Sequence, residues 1–510
     1  MSSKDKDKKK HSHKKHSRRI TKRKIFDKLN RLGDQLEEIE SLLRSGGFQG
    51  ATGFQGATGP QGATGPQGAT GPQGATGPRS GPPVVGGPPG IPDEQLGLKL
   101  IGQPFEGLPR QGFSVSLSAN GSRLAIGAPG FPAQTGSIGA TWIFRRIVTG
   151  NNITFEQEQK LVGSGITEGQ GQGTSVSLSD DGNTLAVGGP GEERDTGTVW
   201  IWTRNPETNV WTEQQILEGV TLGGLFGQSV SLSGDGNRLA VGSPGTGSAV
   251  IAPADPSEIF GSSGATQIYE RIGQSWTLVA TLIGQGSIGL ASQGQSVSLS
   301  PDGNTLAVGG PRDNTIILGE GIDREINSAG ATWIFERSNN GTWIQNASTP
   351  LRGSGGDQNS TQGTSVSLSG ASLSGPINTL AVGGPEDNEG IGATWIFIKN
   401  ETTGLWTQQG GKLVGTGLEG ARGTSVSLSD DGNLLAIGGP GSGEVTVLTG
   451  AVWIFSRSEG VWSQVGEKLV GSDEVVSFGQ SVSLSAFSPF TLAVGGPDDN
   501  GGIGATWIFI

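Results

Sequence analysis

The most regular pattern in the chain is an alternation. From Ser114 the residues run Ser-Val-Ser-Leu-Ser, polar and apolar by turns, the period-two spacing of a half-buried strand. The same five residues restart at Ser175, Ser229, Ser296, Ser365, Ser425 and Ser481, at spacings of 54 to 69 residues. Asp-Gly-Asn follows four of the copies and Asn-Gly-Ser the first, and that turn chemistry suits a tight hairpin. A second apolar run returns (Thr-Leu-Ala-Val-Gly-Gly in the cleanest copies), then a variable stretch, then Gly-Ala-Thr-Trp-Ile-Phe as a third strand. A fourth run begins at a tryptophan and ends in Lys-Leu-Val-Gly, clearest at 406–415. Four antiparallel strands repeated seven times predict a seven-bladed β-propeller, whose radial repetition hides most sheet edges. The last repeat stops at Ile510 after its third strand. Its missing fourth is expected from Leu98-Lys99-Leu100-Ile101-Gly102, upstream of the first repeat. The propeller is therefore placed at 97–510.

A different period governs residues 25–45. Apolar residues fall at Ile25, Leu29, Leu32, Leu36, Ile39 and Leu43, alternating steps of four and three. Leu29, Leu36 and Leu43 take position a of a heptad, and Ile25, Leu32 and Ile39 take position d. Leu at a with Ile at d disfavours two-stranded coiled coils and leans toward three or four strands. Fewer than three heptads and the interruption at Gly33 make the helix marginal alone.

From Gly47 to Gly77 glycine occupies every third position, giving eleven triplets within 46–79. Only glycine fits the crowded axis of a collagen triple helix, and three such chains of this length would span about 100 Å. The heptads directly upstream supply the register that a short collagen needs, so both segments predict a homotrimer. Residues 80–96 break the triplets and read as a Pro/Gly linker. The expected class is an all-β seven-bladed propeller head, preceded by a short coiled-coil helix and a collagen-like triple-helical stalk.

Charge sharpens this picture. Residues 1–24 carry twelve Lys/Arg against two Asp, so a chain of net charge −11 bears −21 beyond residue 24. This basic, disordered arm, with Lys8, Lys9, Lys10, Lys14, Lys15, Arg18 and Arg19 at its centre, is expected to anchor on an anionic particle surface or on nucleic acid. Without interleaved aromatics, any nucleic-acid binding would be salt-sensitive phosphate contact. The N-terminus shows no apolar export signal, and no run of eighteen apolar residues spans a membrane.

Phe226-Gly227 and Phe478-Gly479 stand before first strands, and Gly127-Ala128-Pro129 follows a second strand, written GGP or GSP in the other copies. In these motifs residues 98–510 resemble the FG-GAP repeats of integrin α-subunit propellers and their bacterial and viral relatives. The resemblance implies the propeller fold and ligand binding on one face. It also implies a calcium loop of the D-x-D-x-D-G-x-x-D kind between the first two strands. Here the equivalent run is Ser177-Leu178-Ser179-Asp180-Asp181-Gly182 with Leu185 at the last acidic position, too few oxygen ligands for calcium. Asp181, Asp235, Asp302 and Asp431 are expected as turn residues, with no metal and no cofactor.

Catalytic chemistry finds little footing. All three histidines lie in the basic arm and the chain has no cysteine, which removes Ser-His-Asp and Cys-His constellations from the head. Carboxylates are spread one turn per blade and do not converge as a pair. No enzyme is expected. The tryptophans recur once per blade at Trp142, Trp200, Trp333, Trp395, Trp453 and Trp507, and again at Trp211, Trp276, Trp343, Trp406 and Trp462. With Trp202, they are expected between blades as core.

The pattern thus predicts a trimeric stalked fibre on the surface of a virion or spore, displaying propellers for attachment or shielding. Collagen-like stalks without hydroxyproline positions resemble those of bacterial spores and large viruses. The alternatives are a nucleic-acid-associated scaffold whose propellers recruit proteins, and a lectin-type module. A glycan or protein ligand is expected on the face away from the Asp-Gly-Asn turns, where Ser243–Ser263 and Pro311–Ser328 form long loops on neighbouring blades. Asp255, Glu258, Arg312, Asp313 and Asn314 are the candidate ligand residues.

Overall fold

In all seven first strands the alternation does what it predicts: Val and Leu are buried and the two serines between them half-buried. The structure, a computed structural model, describes residues 91–510 other than 98, 131–137, 192–195, 247–262, 319–324, 371–378, 418–419, 442–448 and 473–475. The basic arm, the heptad helix and the glycine triplets lie outside the described residues.

Each repeat forms one antiparallel sheet in chain order. In blade 1 the strands are Ser114–Leu117, Arg123–Ala128, Ala140–Thr149 and Asn152–Leu161. Register is constant across blades: Ser114 faces Gly127 and Ile126 faces Trp142, as Ser425 faces Gly438 and Ile437 faces Trp453. The first strands of neighbouring blades pack side by side, blade 7 against blade 1 included, so seven sheets close a ring. Blade 4 adds a two-stranded sheet, Thr315–Leu318 with Glu325–Ser328, inside the connection between its second and third strands. Among the described residues no helix is long and apolar enough to cross a membrane.

The core lies between blades. Trp200 packs with Ala125 and Ile143 of blade 1, and Trp453 with Ala381 and Ile396 of blade 5. The third-strand tryptophans are at most 1 % exposed, and Trp202, Trp211, Trp276, Trp343 and Trp406 are buried as well. Truncating one such side chain would cost about 3–5 kcal/mol. Blade 3 departs from the pattern, with Gln267 in the tryptophan position, its side chain accepting from Ser243 Oγ at 2.9 Å.

The serines stitch the ring. The first serine of each Ser-Val-Ser-Leu donates to a glycine carbonyl of the following blade: Ser114 to Gly173, Ser175 to Gly227, and finally Ser481 back to Gly112, at 2.8–2.9 Å. The second serine accepts from a leucine amide of the same neighbour, as Ser116 does from Leu178 and Ser483 from Leu117. The serine that ends the motif turns inward on its own hairpin: Ser179 Oγ donates to Asp181 and accepts from the Thr184 amide. Glycine is required where these seams are tightest. A Cβ at Gly173 would stand 2.6 Å from the Ala128 nitrogen, and its φ of +93° already excludes most residues.

Blade 7 has three strands of its own, Ser481–Leu484, Leu492–Gly496 and Ala505–Phe509. The fourth place is taken by the segment before blade 1. Leu96 donates to the Ile508 carbonyl, and Leu100 exchanges both bonds with Thr506 at 2.7 and 3.0 Å. Glu94 likewise pairs with Ile510. The closing strand therefore begins three residues before the expected boundary at 97, and the linker ends correspondingly earlier. Ile91 and Ile101 pack on the blade 7 core, and Leu96 and Leu100 on that of blade 1.

Candidate functional site

Two faces surround the ring. One carries the turns between first and second strands, the other the connections between second and third strands and between blades.

On the first face the turn aspartates are bound up in their own hairpins. Asp181 accepts from Ser179 Oγ at 2.6 Å, from the Asn183 amide at 2.9 Å and from the Asn183 side chain. Asp235, Asp302 and Asp431 repeat the arrangement. Burial by itself would raise the carboxyls of Asp181, Asp235 and Asp431. The hydrogen bonds from serine and asparagine outweigh it and hold all three below the usual carboxylate range. These are turn residues, as expected.

One residue before the turn aspartate, a backbone collar circles the axis. Asp430 donates to the Ala486 carbonyl, Ala486 to Ala119, Ala119 to Asp180, Asp180 to Gly234 and Gly234 to Pro301, at 2.8–3.2 Å. Pro301 has no amide to pass on. Two acidic side chains stand on this collar. Asp180 lies over Gly234 and Asp430 over Gly370, where a Cβ would fall 2.2 and 1.2 Å from the carboxylate oxygens. Burial, then the charges of Asp430, Asp181 and Asp235, push the Asp180 carboxyl up to about 6. Burial, then Asp431, raises that of Asp430.

The opposite face holds the candidate ligand residues. Asp255 and Glu258 lie outside the described residues. Arg312 is exposed, and its amide donates to the Ala291 carbonyl. Asp313 is not presented to a ligand: it is fully buried, accepts the Ile288 amide at 2.7 Å and pairs with the Arg352 guanidinium. Asn314, at φ +56°, donates from its amide to the Ile288 carbonyl. Gln293, at the other end of the same interblade segment, donates to the Ser263 carbonyl. The structure thus roots both long loops, the blade 3 loop at its end and the blade 4 loop at its start, on one stretch, Ile288–Gln293. Ile288 itself is 53 % exposed there.

The Asp313 arrangement recurs. Gly-Gly-Pro-x-Asp-Asn occurs at 309–314, 383–388 and 495–500. Asp387 is buried, accepts the Asp357 amide at 3.0 Å and pairs with Lys412. Asp499 is buried and pairs with Lys99 at 2.9 Å. In each case the cation flanks a residue bridged to the third strand of the same blade, Arg352 beside Leu351, Lys412 beside Leu413 and Lys99 beside Leu100, and for blade 7 that segment is the displaced one. The shared hexapeptide was the available signal.

A second device governs each seam on this face. The residue before the lead-in glycine of a blade is a buried Gln at 111, 172, 293 and 362. Gln293 both accepts from and donates to Gly284, at 2.6 and 3.0 Å, and Gly284 is pressed on the Trp333 ring. The indole of Trp333 then donates to the Gln285 carbonyl at 2.9 Å. In blade 6 Arg422 replaces the glutamine, its guanidinium 4.5 Å from the Trp453 ring centroid and donating to the Gly417 carbonyl. Phe226 and Phe478 fill the place in blades 3 and 7, so the Phe-Gly dipeptides serve packing.

No family model matches the chain, and no curated protein matches it. Among the described residues no three His, Cys, Asp or Glu side chains stand together as metal ligands would.

Proposed function

We propose that the protein is a trimeric stalked fibre component of a virion or spore surface, with FG-GAP-like propellers displayed for attachment or shielding. The observation that carries this reading is the order of parts along one chain: a basic arm, heptads of the three-stranded kind, eleven glycine triplets and a self-closing propeller. The arm anchors the fibre on an anionic particle component, and the triplets hold the head away from it. The fate of the head's charges supports display over catalysis, since its turn aspartates and its buried Asp–Lys and Asp–Arg pairs are engaged in holding loops. Ligand contact belongs to the loops rooted on Ile288–Gln293.

Immunogold labelling of intact particles with an antibody to the head tests the location. Surface label is expected, and label confined to the interior rejects the fibre in favour of the nucleic-acid scaffold that the basic arm otherwise suggests. Replacing the blade 3 and blade 4 loops by the short blade 2 connection should abolish attachment of the trimer to host cells or arrayed glycans. Unchanged attachment by the folded variant rejects the loop site.

A further inference from the structure

We propose that the closing strand of one chain completes the seventh blade of another, so that neighbouring heads are joined by exchanged strands. The proposal rests on the three-chain stalk proposed above, which keeps identical closing strands and identical open blades together.

Several observations point to exchange. The strand is the one fourth strand whose covalent link to its blade runs the long way round the ring; the described fourth strands of the other blades follow their third strands directly. The described contacts that hold it are made to groups any second copy also presents. The Thr506 amide and carbonyl, the Asp499 carboxylate that takes Lys99, and the Gln111 side chain that grips Gly102 from both sides are all ring residues. A strand arriving from another chain satisfies them equally, and without some strand Thr506, Ile508 and Ile510 form an unpaired edge that recruits one.

The seam is also less continuous than that of blade 1, and resembles those of blades 4 and 5, where a three-residue fourth strand is followed by one separate bridge. Blade 1 pairs its third and fourth strands from Thr141–Leu161 through to Thr149–Asn152, broken by a single bulge. The closing strand pairs in two short pieces, with Gly97 at φ +63° between them. Trp142, the blade 1 tryptophan against which Gly102 of the closing strand sits, is buried without an acceptor for the indole N–H, whereas Trp200, Trp333, Trp395 and Trp453 each donate to a carbonyl at the end of the preceding blade. A hinge lies next to the strand. Phe105 packs on the blade 1 core, and Glu106 and Gly107, which follow it, are exposed, with Gly107 at φ +61°. Rotation there redirects residues 91–105 as a unit while the ring from Leu108 onward stays intact. Exchange from each head to the next is a heterologous contact, and three chains close it without leaving a free edge.

The absence of native cysteine makes the test clean. Leu100 and Thr506 exchange both backbone bonds, so their Cα atoms stand about 5.5 Å apart, within disulfide reach. Two full-length chains, one Leu100→Cys and one Thr506→Cys, are co-expressed, oxidised and run without reductant. Exchange gives a disulfide-linked dimer of the two chains that reduction dissolves and that neither chain forms alone. The full-length double variant reports on the same question: covalent dimers and trimers support exchange, and covalently closed monomers overturn it. Glu94→Cys with Ile510→Cys, the other pair that exchanges both backbone bonds, repeats the measurement at a second contact. Sedimentation equilibrium of the same samples separates the two claims. A trimer with only intrachain disulfides rejects exchange and leaves the stalk standing, and a monomer rejects both.

Discussion

Replacing Asp180 by Asn should make the propeller more stable at neutral pH and leave it unchanged near pH 4. In the folded ring this carboxyl is pushed from 3.8 up to about 6 by burial at the collar and by Asp430, Asp181 and Asp235. The unfolded chain releases the proton near pH 4. Between about 4 and 6 the native state therefore binds more protons than the unfolded one, and stability falls as pH rises through that window. Above it the penalty is constant. The full shift corresponds to about 3 kcal/mol at ~1.4 kcal/mol per pH unit. Asp180 as a whole still faces solvent, only part of its carboxyl being covered by the collar, so water screens much of this, and about 1 kcal/mol is the expected gain for the variant at pH 7.5. Asparagine keeps the shape, so collar hydrogen bonds through the Asp180 amide and carbonyl should survive. The assay is the urea midpoint of parent and variant at pH 4, 5, 6 and 7.5, read by tryptophan fluorescence. A gain that is the same at every pH would show that charge is not its cause. A loss at pH 7.5 would show that the carboxylate is stabilising and that the sign of the argument is wrong.

Three further outcomes are expected. Deleting residues 91–103 exposes the edge of blade 7, so the head should lose cooperative unfolding and aggregate; a truncated head that melts like the parent refutes closure by this strand. Lys412→Met leaves the buried Asp387 carboxylate without its cation and should cost about 2–4 kcal/mol by urea denaturation, most of which Lys412→Met with Asp387→Asn restores. Gly163→Ala places a Cβ 2.3 Å from the Trp200 indole and should cost about 1–3 kcal/mol, with a shifted fluorescence maximum as the Trp200–Ser164 bond breaks.

The propeller was legible in the sequence because its signals are local and repeated. Ser-Val-Ser-Leu states its own strand, Asp-Gly-Asn its own turn, and the three-stranded last repeat points to Leu98–Gly102 as the missing strand. What stayed hidden crosses seams. Ser114 reads as a small polar residue on an inner strand until its partner, Gly173, appears 59 residues away in the next blade. Asp313 reads as a loop carboxylate available to a ligand, because nothing in Pro311–Asn314 announces Arg352 or the Ile288 amide. The collar is backbone chemistry around the axis, and side-chain patterns carry no trace of it. Gln111, Gln172, Gln293 and Gln362 each precede a lead-in glycine, so the position itself is legible, but Phe226 and Phe478 fill it in two other copies and mask its polar role.

The direction of the serine stitches bears on how such a ring could change over generations. Each blade offers hydroxyls to the blade that follows and a glycine carbonyl and leucine amide to the blade that precedes it. Both halves of the joint are therefore encoded in every repeat. A duplication or loss of one whole repeat carries matching halves to both new neighbours, so blade number can drift by gene slippage without inventing an interface. A breakpoint inside a repeat enjoys no such protection. The displaced seventh strand makes one position special: an added repeat is tolerated between blades, whereas one appended after Ile510 would compete with residues 94–102 for the same edge.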